Sequence, residues 1–174
     1  VEIQKEACDI ANKNIELNQL THQVKIINQD IKDYIKVHKQ VDLVVCNPPF
    51  FKIGEKSNLN ENRYLQIARH EIKINLEEII ASAAKILKVK GRFAIVHRTE
   101  RMIEIIELMK KYNLEPKKIQ YIYPKQNKES NIILIEAMFH GNPGVKILPP
   151  IIAHEENGNY SKEVRKMFGE IVDE

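Results

Sequence analysis

The sequence predicts an α/β fold, an open and mostly parallel sheet with helices on both faces. Three observations predict it. Strand-like and helix-like segments alternate along the chain from the first residue. Leu43–Cys46 is a run of four apolar residues, the pattern of a strand covered on both faces. The strands Lys117–Tyr123 and Asn131–His140 are joined by a short loop, so this last pair is expected to be antiparallel.

Each element has its own signature. Val1–Gln4 is short and β-prone. Cys8, Ala11 and Ile15 then recur at helical spacing within Lys5–Leu20. Val24–Asn28 (VKIIN) reads as a strand, Ile31–Val37 as a short helix and Val41–Cys46 as the strand that ends in NPPF. Phe51–His70 lacks periodicity and is rich in Asn, Lys and Glu; a loop of that length in a compact domain is functional or mobile. Leu76, Ile79, Ile80, Ala83 and Leu87 mark an amphipathic helix, with KVKG and Gly91 as its expected stop. Arg92–His97 is the next strand. Thr99 is placed to cap a helix whose apolar stripe is Met102, Ile105, Ile106 and Met109. Beyond Gly141, turn residues surround VKIL and PPIIAH and predict a small appended hairpin. The expected division is a main, partial domain over 1–140 and a C-terminal hairpin or tail over 141–174, packed on the same domain.

Composition bounds the class. With 43% hydrophobic and 29% charged residues, the chain buries an ordinary core. It has no run of 18 apolar residues for a membrane span, and no basic-then-apolar leader pattern. The two cysteines, Cys8 and Cys46, make no disulfide framework, and the six histidines have no metal-ligand spacing. A cytoplasmic protein without membrane or metal is expected. The net charge of +3 is uneven: Lys85–Lys128 holds 12 Lys/Arg against 4 Asp/Glu. Such a block either steers an anionic polymer or solvates helix faces.

In open parallel sheets, ligands sit outside the carboxyl ends of the strands. Polar residues stand at three such ends: Glu2, Asp30 and Asn47. Asn47 is followed by Pro48, which has no N–H, and Pro49, which holds Pro48 extended. The corner is stiff, its carbonyls are left over for a ligand, and Phe50 adds a flat apolar face. Two acceptors and a ring form a receptor for a planar group bearing NH₂. Acceptors held out of the plane favour a pyramidal nitrogen whose lone pair projects toward an electrophile, without a strong general base.

NPPF after an apolar strand resembles the motif of amino-methyltransferases that use S-adenosyl-L-methionine. More widely, VEIQ, Asp30, VDLVVCNPPF, IARHE (Ile67–Glu71), HRTER (His97–Arg101) and LEPKKIQ (Leu114–Gln120) resemble the tRNA (valine) adenine-N6 and small-domain methyltransferase family. The resemblance implies a Rossmann-like class I methyltransferase sheet with one antiparallel strand near the C-terminus. It implies methylation of the exocyclic N6 amine of adenine in RNA, with tRNA as partner; protein-glutamine or DNA-adenine methylation and a non-catalytic RNA-binding fragment are the alternatives. Asn47, Pro48, Pro49 and Phe50 would be catalytic. Glu2 would hold the cofactor ribose, Ile3 its adenine ring, and Asp30 its adenine amine with Ile31 beside it; Asn47 also faces the cofactor. Lys52, Arg69, His70, Arg98 and Arg101 are the candidates for RNA contact.

The family's glycine-rich turn is absent, because no glycine precedes Gly54. A chain beginning at the family's second strand is therefore expected, with an apolar gap where a central strand belongs. Simpler readings stand beside several residues. Asn-Pro also starts turns. Asp30 equally suits a helix cap. Arg69 with His70, and His97 with Arg98 and Arg101, either contact phosphate or form structural ion pairs. Cys46 reads as a buried apolar thiol rather than a nucleophile.

Overall fold

The computed structural model describes residues 1–37, 40–50 and 74–170. The expected loop Phe51–His70, with Lys52, Arg69 and His70, lies outside the described residues. In chain order the elements are α1 (Lys5–Leu17), α2 (Ile31–Val37), β1 (Val41–Cys46), α3 (Leu76–Ile86) and β2 (Leu87–Arg98). They continue with a 3₁₀ turn (Thr99–Arg101), α4 (Met102–Lys111), β3 (Leu114–Tyr123), β4 (Ile132–Phe139), β5 (Lys146–Ile147), β6 (Ile151–Ile152) and α5 (Lys162–Met167).

The sheet order is β1–β2–β4–β3–β5, with β6 also pairing β3. β1 runs parallel to β2, β4 is antiparallel to both β2 and β3, and β5 and β6 are parallel to β3. One antiparallel strand in an otherwise parallel sheet is the arrangement expected. β4 inserts between β2 and β3, so its neighbours keep a common direction and present their carboxyl ends on one side.

Alternation along the strands decides which face is packed. Phe93 and Ile95 of β2, and Ile133, Ile135 and Ala137 of β4, point to one face and are buried. α3 and α4 cover that face. Leu76, Ile79, Ile80 and Ala83 form one stripe of α3, and Ile105 with Met109 one stripe of α4. The other face of β1 is open: Leu43 is 54% and Val45 73% exposed. The apolar run is therefore covered on one face among the described residues, not on two.

α3 begins at a capping box. Asn75 Oδ1 accepts from the Glu78 N–H at 2.9 Å, and Glu78 Oε2 accepts from the Asn75 N–H at 3.0 Å. Asn75→Ala is expected to cost about 1 kcal/mol in urea unfolding, since it leaves helix N–H donors without a protein partner.

Four local expectations change. α3 stops at Ile86, and KVKG lies inside β2 instead of ending the helix. Gly91 serves a close approach: a Cβ there would meet the Lys88 carbonyl oxygen at 2.8 Å and the Asp42 carbonyl oxygen at 3.3 Å. Thr99 makes no side-chain cap; the chain enters α4 through the 3₁₀ turn, and Thr99 Oγ1 lies 3.1 Å from Ser130 Oγ. VKIL and PPIIAH do not pair with each other as a hairpin, although His154 and Tyr160 form an antiparallel bridge around the NGN turn. β5 and β6 both run parallel to β3, and Pro149 and Pro150 between them keep the chain extended in one direction. Val1–Gln4 and Val24–Asn28 meet at a single parallel bridge, Glu2 to Asn28, rather than as full strands. Two short segments alone make a marginal ladder.

Candidate active site

A cavity of about 550 Å³ opens between the edge of β1 and the Glu2–Asn28 bridge. Its floor is apolar, with Ile79, Ala83 and Ile86 of α3, Phe93 of β2 and Val44 of β1. Its rim carries Glu2, Ile3, Asp30, Ile31, Asn47, Pro48 and Pro49. Residues from three separate chain segments thus meet around one hollow, of a size suited to a nucleoside-sized ligand.

Local hydrogen bonds hold the rim. Glu2 Oε1 accepts from the Gln4 N–H at 2.8 Å, and the Glu2 N–H donates to the Ile27 carbonyl at 2.9 Å. Asn28 Nδ2 donates to the Glu2 carbonyl at 3.0 Å. These bonds set the carboxylate at the mouth. Asp30 Oδ1 accepts from the Lys32 N–H at 2.8 Å, and its carbonyl accepts from Tyr34 N–H at 3.0 Å. Asp30 therefore caps α2, and the same residue lines the cavity; the two readings of Asp30 are not exclusive. A cap fixes the carboxylate toward the helix start, and α2 directs Ile31 and Tyr34 into the same hollow. Tyr34 was not singled out in the sequence, although Ile31 and Tyr34 share a helix face at i, i+3.

Asn47 is exposed and Pro48 buried, so the turn shows its amide while its first proline anchors it. Phe50 does not reach the described cavity lining. Its ring rests on His97, with centroids 5.3 Å apart and planes at 49°. The Cys46 thiol is pushed up to about 11 by burial. It stays protonated at neutral pH and cannot serve as a nucleophile there.

The arginines differ in availability. Arg101 is buried, and its Nε and Nη2 donate to Glu104 Oε2 and Oε1 at 2.9 and 2.8 Å. Arg98 is partly exposed, with Nε 3.6 Å from Glu100 Oε1. The basic block does not form one face. Lys88, Lys110 and Lys111 lie at the amino end of β2 or the end of α4, away from Asn47, and Lys118 lies in the middle of β3. They pair with Asp42, Glu115, Glu77 and Glu136. Arg98, Lys125 and Lys128 lie at the end of the sheet that carries Asn47.

The model of the methyltransferase small domain matches residues 1–121. The chain belongs to the methyltransferase small-domain family. Membership makes S-adenosyl-L-methionine the cofactor of this domain. The rim fits such a ligand: two carboxylates for hydroxyl and amine donors, and apolar walls for a ring. Among curated relatives, the tRNA1(Val) (adenine(37)-N6)-methyltransferase of Aliivibrio salmonicida is 27% identical over 163 residues, covering 94% of this chain and 67% of its own length. The enzyme of that name from Porphyromonas gingivalis is 28% identical over 173 residues, covering 94% of this chain and 65% of its own. The small-domain chain thus spans about two thirds of the length of these relatives. Among solved structures, the "predicted O-methyltransferase, protein Atu636" of Agrobacterium tumefaciens superposes with a TM-score of 0.69 at 17% identity, covering 97% of this chain and 74% of that one. At that identity the likeness establishes the fold, a Rossmann-like class I methyltransferase sheet. No helix among the described residues is long and apolar enough to cross a membrane.

Proposed function

We propose that the protein carrying this domain transfers a methyl group to the exocyclic N6 amine of adenine in RNA, with tRNA as the substrate class. The observation that supports this most is the convergence of Glu2, Asp30 and Asn47 on one cavity beside a proline-stiffened turn. The names of the curated relatives support the tRNA adenine choice.

When bound, S-adenosyl-L-methionine supplies an electrophilic methyl group. Glu2 would accept hydrogen bonds from its ribose hydroxyls, and Ile3 and Ile31 would cover its adenine ring. Asp30 would accept from its adenine amine. Asn47 Oδ1 and the Pro48 carbonyl each accept one N–H of the target amine, so its lone pair is turned out of conjugation toward the cavity. As positive charge grows on that nitrogen, the two acceptors stabilise it. The proton becomes acidic only after the nitrogen is alkylated, so no buried base is required. Phe50 supplies the stacking surface for a base splayed out of an RNA loop. Arg98, with Lys125 and Lys128 at the same end of the sheet, is placed to meet phosphates, whereas Arg101 would first have to leave Glu104.

The test is a labelled-methyl assay with the full-length protein, offered undermodified tRNA, duplex DNA and a glutamine-bearing protein acceptor in parallel. Label recovered as N6-methyladenosine from tRNA is the expected result. Label confined to DNA or protein redirects the substrate, and failure of the full-length protein to bind S-adenosyl-L-methionine overturns the reading.

A further inference from the structure

His97 lies at the carboxyl end of β2, on the same packed face as Phe93 and Ile95, and is 0% exposed. Cys46 is in register with Ile95, so continuing the parallel pairing brings His97 level with Pro48. The imidazole is locked: Nδ1 accepts the backbone N–H of Arg98 at 2.8 Å. Nδ1 acting as acceptor places the ring hydrogen on Nε2. That Nε2–H is buried and has no nitrogen or oxygen acceptor among the described residues. Leaving a buried donor unmatched costs about 1–3 kcal/mol, so such a group needs a reason. Its aromatic neighbour is Phe50, tilted at 49° with centroids 5.3 Å apart. A tilted pair at that separation leaves room for an edge N–H of one ring to meet the electron-rich face of the other.

We propose that His97 is a positioning residue for the amine-binding turn: its locked ring seats Phe50 through the Nε2–H, and thereby holds Asn47 and Pro48 at the cavity rim. The proposal deepens the role given above to the Asn47–Phe50 turn and rests on it. The seat works only with a neutral ring, since a buried imidazolium would need a counter-charge. Burial and the neighbouring Arg101 push His97 down to about 4, with Arg98 adding to the effect and Glu104 opposing it. The ring is then uncharged throughout the neutral range.

Two variants separate ring from hydrogen bond. His97→Phe keeps the ring and loses the N–H; His97→Asn keeps an acceptor for the Arg98 N–H and loses the ring. In the full-length protein, with the folded fraction set by thermal melts, both are expected to lower kcat on tRNA about tenfold to a hundredfold, the cost of a displaced reacting group. Cofactor affinity should stay within about twofold. A purely structural role would reduce the folded fraction and spare the turnover of what remains folded. A second readout needs no turnover: in protein labelled with ¹⁵N-histidine, the Nε2–H resonance of His97 should be exchange-protected and shifted upfield by the Phe50 ring. Phe50→Leu should move it downfield. A resonance unmoved by Phe50→Leu, or folded His97 variants with kcat unchanged on tRNA, overturns the inference. A wild-type protein that shows the shifted resonance but methylates no RNA overturns the substrate reading and leaves the seat standing.

Discussion

Asn47→Ala is expected to lower the turnover of methyl transfer about a hundredfold to a thousandfold, the loss measured when one preorganised electrostatic partner is taken from a developing charge. The residue stands exposed at the cavity rim, between the last residue of β1 and a buried Pro48. Its side chain carries no core packing, so thermal stability should change little. Its amide oxygen is one of the two acceptors assigned to the target amine; without it, one N–H is left to water and the nitrogen stays planar. The phosphate contacts proposed for RNA lie elsewhere, at Arg98 and the lysines of the β3–β4 loop, so RNA affinity should hold within a few-fold while kcat collapses. Single-turnover methylation at saturating cofactor, beside filter binding of the same tRNA, measures both. A variant that turns over at the wild-type rate removes Asn47 from the chemistry.

Phe93→Ala is expected to cost about 3–5 kcal/mol, read as a shift of the urea midpoint. Phe93 is fully buried, belongs to the core cluster with Ile80, Ile105 and Met109, and also stands behind the cavity floor. Its removal leaves a void that joins the existing hollow, so neighbouring chains have little to collapse against. A loss of that size is a large share of the 5–15 kcal/mol that ordinarily holds a domain. Cofactor affinity should fall with it, because the same wall shapes both. A midpoint within about 1 kcal/mol of wild type would show that Phe93 does not tie sheet to helices.

Much of this was legible in residue order. β1, β2, α3, α4 and the antiparallel β3–β4 pair follow from local periodicity, because a strand or helix buried on one side repeats its apolar residues every second or every third to fourth position. Glu2, Asp30 and Asn47 could be named together because the carboxyl ends of parallel strands gather at one side of a sheet. What failed was punctuation. Gly91 reads as a helix stop, yet it marks a close backbone contact inside β2, a fact about Asp42, some fifty positions away in the chain. The turn residues around Pro149 read as a hairpin, but the partner of β5 and β6 is β3, which no local pattern names.

Residue order alone therefore settled the chemistry on offer: an amide, two prolines and a ring after an apolar strand, and carboxylates at two other chain turns. Only tertiary packing decided how that chemistry is disposed. It placed Phe50 on His97, committed Arg101 to Glu104, and divided the basic block between opposite ends of the sheet. The physical reason is range. Backbone preference and periodicity act over a few neighbouring residues, whereas burial, ion pairing and ring contacts depend on segments that meet only once the sheet has formed.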